Sequence, residues 1–150
     1  MLKRSGFVIA CALALGLLSA CQSRPVATGA PAAAVAGIEL REPRPGLYTA
    51  GQPTISDWSA IAARGVATVV NLRTASEMQG RDEGAEVRAA GMHYIEIPVA
   101  GADGITDANA RLLRDALAAA GGPVLVHCAS GNRAGGLLAL SEARYRGAAP

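Results

Sequence analysis

From about residue 46 onward, short apolar runs of strand type alternate with stretches of helical spacing. Leu47 to Ala50 reads as a short strand, stopped by Gly51-Gln52-Pro53. Trp58, Ile61 and Ala62 then share one helical face, Trp58 as a core anchor, with Ser56 placed to cap that helix and Gly65 to end it. Val66 to Leu72 is Val-rich and reads as a buried strand. A loop over Arg73 to Gly80 follows, in which Arg73 and Glu77 are spaced to pair and pin the loop. Asp82 to Ala90 predicts a modest helix ended by Gly91. Met92 to Pro98, carrying His93, Tyr94, Ile95 and Ile97, predicts a further strand, and Val99 to Ile105 a glycine-rich loop. Thr106 is placed to cap a helix over Asp107 to Ala120 with Leu112, Leu113, Ala116 and Leu117 inward. Gly121-Gly122-Pro123 breaks that helix, and Val124 to Val126 forms a short buried strand closed by His127 and Cys128. From Arg133 to Arg146, Leu137, Leu138, Leu140 and Ala143 recur at helical spacing until Gly147. Strands alternating with helices predict an α/β three-layer sandwich, with a mostly parallel central sheet flanked by helices.

Upstream the pattern changes. Lys3 and Arg4 precede one apolar run, Gly6 to Leu18, too short for a convincing membrane-spanning helix. Leu18-Ser19-Ala20-Cys21 resembles a bacterial lipoprotein processing site, which implies that residues 1–20 are a signal peptide and that Cys21 carries lipid. By the same resemblance, Gln22 rather than Asp after that cysteine points to the outer membrane. The expected location is therefore the bacterial cell envelope, anchored by lipid and facing the periplasm; ordinary secretion, with Cys21 incidental, is the alternative. Residues 21–37 are rich in Ala, Pro, Gly and Ser without periodicity and read as a flexible tether. Ile38 to Pro45 is a charged, proline-broken lead-in to one domain spanning 38–150.

Composition narrows the functions. A formal charge of +2 with no basic cluster argues against nucleic acid as a partner. Two histidines and no Cys/His cluster predict no metal site, and no cofactor is expected. The three cysteines are more informative. Cys11 lies in the leader and Cys21 ends it, so Cys128 is alone in the body of a chain bound for an oxidising compartment. A lone thiol in that setting fits a reactive role.

The stretch His127-Cys128-Ala129-Ser130-Gly131-Asn132-Arg133 joins the last strand to the last helix through a small polar loop. Successive loop amides in that geometry point inward, and the helix N-terminus adds partial positive charge, which makes an anion cradle over residues 129–133. The same field lowers the pKa of a thiol at the strand end, and Arg133 offers a planar fork of donors suited to an oxyanion held over the sulfur. A small buried cysteine at a sheet edge is the commoner fate of a lone Cys. Cys, Gly and Arg at these spacings between a strand and a helix favour the reactive one.

His-Cys-x-x-Gly-x-Arg resembles, in shortened form, the active loop of cysteine-dependent protein phosphatases. It is most similar to the beta-lactamase hydrolase-like phosphatase domain, a relative of dual-specificity and tyrosine phosphatases. Tyr48-Thr49-Ala50-Gly51-Gln52-Pro53 and Val69-Val70-Asn71-Leu72-Arg73 followed by Glu77 agree with that likeness, which runs from about Gly46 to the C-terminus. It implies a cysteine-phosphatase-like fold and hydrolysis of phosphate monoesters, on a phosphorylated protein or a small phosphate ester, through a cysteinyl-phosphate on Cys128. It also implies a general acid, for which Asp103 is the candidate; Asp107 reads instead as a first-turn acid that favours the helix dipole. His127 is expected to orient the loop and support the thiolate, or else to be a buried, satisfied histidine. A further helix usually follows in that family, and by that likeness the chain is expected to be truncated at its C-terminus.

Two features favour a rival. The wider phosphatase class has five residues between Cys and Arg where Cys128 and Arg133 enclose four, and the hydroxyl residue that usually follows the Arg is Ala134. Cys-Ala-Ser-Gly-Asn-Arg is similar in length to rhodanese active loops, which implies sulfur transfer between a sulfur donor and acceptor through a Cys128 persulfide. A non-catalytic module binding phosphorylated or anionic ligands is the third alternative.

Overall fold

The computed structural model describes residues 33–35 and 37–146. The expected signal peptide, the Cys21 lipidation site, most of the tether and the C-terminal stop at Gly147 lie outside the described residues. Twelve elements follow in order. They are β1 (Ala33–Val35), β2 (Ile38–Arg44), β3 (Leu47–Ala50), a 3-10 turn (Ile55–Asp57), α1 (Trp58–Ala63), β4 (Thr68–Asn71), α2 (Ala75–Met78), α3 (Glu83–Ala89), β5 (His93–Glu96), α4 (Asp107–Ala119), β6 (Val124–His127) and α5 (Asn132–Tyr145).

The strands lie in the order β1-β2-β3-β6-β4-β5. The four at the β5 side are parallel: β6 pairs with β3 (Ala50 opposite His127) and with β4 (Asn71 opposite His127), and β4 pairs with β5. β1 and β2 add on antiparallel at the other edge. The lead-in from Ile38 to Pro45 is thus mostly a strand, and residues 33–35, at the end of the expected tether, pair with it. Ile38 and Leu40 are buried while Glu39 and Arg41 are exposed, a period-two signal that the surrounding charges and prolines obscure in the sequence.

Helices cover both faces. On one, Val70, Leu72, Val124, Val126 and Cys128 pack against Leu113 of α4 and Ala134 and Leu137 of α5. On the other, Val69 and Leu125 pack against Trp58 and Ile61 of α1 and Val87 of α3. Fully buried parallel strands carry apolar residues on both sides, which is why Val66 to Leu72, despite Thr68 and Asn71, and Val124 to Val126 are legible as Val-rich runs.

Several local expectations shift. Ser56 does not cap the first helix: a 3-10 turn capped by Thr54, whose N–H donates to Asp57 Oδ2 at 2.7 Å, leads into α1, which starts after Asp57 with no side-chain cap of its own. The Arg73–Gly80 loop contains the single-turn helix α2, too short to show a period, capped by Thr74 and Glu77. Thr106, by contrast, caps α4 as expected, with its hydroxyl accepting from Asn109 N at 3.3 Å. Leu112, expected inward, is 53% exposed, because the inner stripe of α4 runs through Ala110 and Leu113. No helix among the described residues is long and apolar enough to cross a membrane.

Trp58 is the anchor of the α1/α3 layer. Its ring is 2% exposed, and its Nε1–H donates to Glu86 Oε2 at 2.8 Å. Trp58→Ala is expected to cost about 3–5 kcal/mol in equilibrium urea unfolding, with Trp58→Phe losing less because it keeps most of the packing.

Candidate active site

The carboxyl ends of β3, β4, β5 and β6 meet at one edge of the sheet, and each leads into a loop that contributes to one cluster. From β6 the chain passes through Cys128 to Asn132, where α5 starts. Gly131 sits at its N-terminus with φ +89°, a left-handed conformation that favours glycine. That turn aims the Gly131 N–H at Cys128 Sγ, 3.1 Å away. The loop is clamped to the end of β3: Gln52 N donates to the Ala129 carbonyl at 3.1 Å, and Cys128 N to the Ala50 carbonyl at 3.4 Å. Gly51 makes the close approach possible, since a Cβ there would lie 3.2 Å from the Ala129 oxygen. Cys128 is 1% exposed, while Ala129, Ser130 and Asn132 are exposed on the outside of the loop. Those outer residues border an open cleft of about 990 Å³ whose far wall is formed by Glu39, Arg41 and Glu42.

Arg133, in the first turn of α5, points back towards the loops after β4 and β5. Its Nη1 donates to Glu77 Oε2 at 2.9 Å and to the Val99 carbonyl at 2.7 Å, and its Nη2 donates to Glu77 Oε1 at 2.5 Å. This bidentate pair, with the Cys128 sulfur as a further contributor, raises the Arg133 pKa above its ordinary value against the opposing effect of burial. Arg133 and the Thr74 N–H together hold the Glu77 carboxyl down at about 2, from an ordinary 4.5. The Glu77 carboxylate is therefore the partner of Arg133 and only distantly of Arg73, whose Nε is 3.9 Å from Glu77 Oε1 while its Nη2 donates to the Glu77 main-chain carbonyl. The α2 cap is the reason. Thr74 N and Oγ1 both donate to Glu77 Oε2, which fixes the carboxylate on the α5 side.

His127 and Cys128 are neighbours in sequence but face opposite layers, as residues along a strand must. The His127 ring packs edge-on to Trp58, and its Nε2 lies 2.9 Å from Glu83 Oε1, both side chains fully buried. It makes no hydrogen bond to the 129–133 loop. Burial acts to raise the Glu83 carboxyl, but hydrogen bonds and charge from His127, with Gln52 and Arg81, hold it below its ordinary value.

Asp103 lies on an exposed turn closed by Gly104 N to the Ala100 carbonyl at 3.0 Å. It belongs to the loop that supplies the Val99 carbonyl to Arg133, and its carboxylate makes no hydrogen bond or ion pair with other described residues. Asp107, in the first turn of α4, pairs with Arg144 Nε at 3.1 Å. Gln52 and Glu83 are not evident as site residues in the sequence. Gln52 stands in the Gly51-Gln52-Pro53 turn, and Glu83 reads as an ordinary surface residue of an amphipathic helix.

Residues 39–145 match the model of the "Beta-lactamase hydrolase-like protein, phosphatase-like domain". The chain belongs to that family. A beta-lactamase hydrolase-like protein of Agrobacterium fabrum is 41% identical over 101 residues, which are 65% of this chain and 23% of that protein. The chain thus spans about a quarter of the length of the curated relatives it matches. A Shewanella putrefaciens crystal structure described as a phosphatase is 30% identical with a TM-score of 0.61, covering 69% of this chain and 66% of the other. A Pseudomonas aeruginosa TpbA structure, a Cys→Ser variant in complex with phosphotyrosine, is 29% identical with a TM-score of 0.56, covering 69% and 61%. The fold is that of the cysteine phosphatases.

Because folding depresses the Glu77 carboxyl, its pairing stabilises the protein above about pH 4.5, and that contribution is lost as pH falls through about 2. Urea unfolding at pH 7, 4 and 2.5 is expected to show wild type more stable than Glu77→Gln at pH 7, with the gap closing on acidification.

Proposed function

We propose that the protein hydrolyses phosphate monoesters, phosphotyrosine among them, through a cysteinyl-phosphate on Cys128. The observation that carries this reading is the Cys128 sulfur under the Gly131 N–H, with Arg133 held at the same loop by Glu77, in a chain of a phosphatase-like family. The Cys128 thiolate attacks phosphorus, forming an S–P bond as the ester P–O bond breaks. Loop amides over 129–133 and the Arg133 guanidinium hold the equatorial oxygens. Asp103 gives its proton to the leaving oxygen. It then takes one from the water that cleaves the S–P bond, releasing inorganic phosphate and restoring the thiolate. The tyrosine-specific part of the proposal draws on the phosphotyrosine held by the TpbA variant.

Sulfur transfer is the second reading, favoured by the four-residue spacing between Cys128 and Arg133 and by an exposed Asp103 with no partner among the described residues. There the Cys128 thiolate attacks the sulfane sulfur of a donor such as thiosulfate, whose S–S bond breaks to release sulfite, and the persulfide then gives its outer sulfur to a nucleophilic acceptor as the thiolate leaves; no acid is required. Aryl-phosphate hydrolysis and thiosulfate-to-cyanide transfer, run side by side on detergent-solubilised full-length protein under reducing conditions, separate the two. Phosphate release that disappears in Cys128→Ser is expected. Asp103→Asn is expected to lower kcat by roughly 100-fold or more, within the range for loss of a general acid. Thiocyanate without phosphate would establish sulfur transfer instead, and silence in both from folded protein would indicate an anion-binding module.

Export and anchoring through lipid on Cys21, with the domain in the periplasm, complete the proposal. Labelled palmitate is expected to enter the wild-type chain in a bacterial host and to be lost from Cys21→Ala; equal labelling of both would refute it.

A further inference from the structure

Arg133 needs a fixed orientation, and its main partner stands on weak ground. Glu77 belongs to a single-turn helix with no buried residue, so apolar packing does not hold α2 in place. Polar contacts do. Arg73 Nη2 donates to the Glu77 main-chain carbonyl, and Arg73 Nη1 donates to Gln52 Oε1. Gln52 Nε2 donates to the buried Glu83 Oε2, and Gln52 N to the Ala129 carbonyl. These contacts close a ring: Ala129, Gln52, Arg73, Glu77, Arg133 and back along the loop to Ala129. Both ends of the Cys128–Arg133 segment are tied into it.

We propose that Gln52 and Arg73 are positioning residues that set the Arg133 guanidinium relative to Cys128, with the buried Glu83–His127 pair as their anchor. This rests on the reading of Arg133 as the group that holds the oxyanion. The chemistry at position 52 is demanding. A carboxylate at Glu83 accepts only, and a guanidinium at Arg73 donates only, so the side chain between them must donate at one end and accept at the other. An amide does both without charge. Glu at this position would set a carboxylate against Glu83, and Met would match the length and make neither bond. Position 73 is equally constrained, because one planar fork reaches both Gln52 and the Glu77 carbonyl, which a lysine ammonium does not reproduce.

The test uses Gln52→Met and Arg73→Lys in the full chain in detergent, with two readouts. The first is the guanidinium NMR signal of Arg133, assigned by its loss in Arg133→Lys. A fork bound at both nitrogens rotates slowly and gives separate Nη proton signals, which are expected to coalesce in both variants while the Gly131 amide signal stays in place. The second is aryl-phosphate kinetics. kcat is expected to fall by about 100-fold with KM changed by less than about 3-fold, the scale for an ångström-sized misplacement of a charge-stabilising group. Adding Gln52→Met to Glu77→Gln should cost no more than Glu77→Gln alone. Separate Nη signals that persist in both variants would overturn the proposal, and so would full additivity. If Gln52→Met does not fold, Arg73→Lys decides by the same signals. A wild type without phosphatase activity would sink the reaction, while coalesced Nη signals in the variants would still support the ring.

Discussion

A cation carried into a half-buried position at the base of a helix is the constraint that shapes this site. Arg133 is 14% exposed in its side chain, and its charge is compensated by a bidentate carboxylate and the Val99 carbonyl. Such a pair costs desolvation and holds only where geometry is tight, so the elements that present Glu77 and Val99 must be fixed in turn. Parallel strand pairing does much of this. It brings the carboxyl ends of β3, β4, β5 and β6 to one edge, the place where open α/β sheets bind ligands, and the loops leaving that edge carry Gln52, Arg73, Glu77, Val99 and Cys128.

Strand alternation divides the labour between two neighbouring residues. Cys128 faces the α4/α5 layer and the Gly131 N–H; His127 faces the α1/α3 layer and the buried Glu83. The two layers communicate through Gln52, which touches Glu83 with its side chain and the Ala129 carbonyl with its backbone. A buried, hydrogen-bonded His–Glu pair on one side of the sheet thereby bears on a cysteine loop on the other, without any direct contact between the histidine and the sulfur.

The parts of this arrangement that were legible in the sequence are those with a local signature. Val-rich runs bounded by glycine marked β4 and β6, and the Cys128–Arg133 spacing after a strand marked the loop, because each fits within a few consecutive residues. Contacts between distant segments left no such mark. Glu77 lies four residues from Arg73, a spacing that suggests a local pair, yet its carboxylate meets Arg133 fifty-six residues further on. Gln52 and Glu83 are separated by thirty-one positions, and neither is an unusual residue for a turn or a helix. β2 was hidden for a different reason: charges and prolines masked its alternation. Leu112 shows the converse: its spacing with Leu113 and Ala116 suggests an inward face wider than the one α4 buries.

The covalent intermediate is the centre of the proposed mechanism, and its direct detection is the sharpest test. Rapid acid quench of the reduced full chain with excess aryl phosphate, followed by intact-mass and peptide analysis, reads what Cys128 carries. The account predicts a mass gain of one phosphoryl group on the peptide containing Cys128, appearing within the first turnover and missing in Cys128→Ser. An unmodified Cys128 during continuing phosphate release, or a gain of one sulfur atom after thiosulfate with no phosphoryl adduct under any condition, would contradict it.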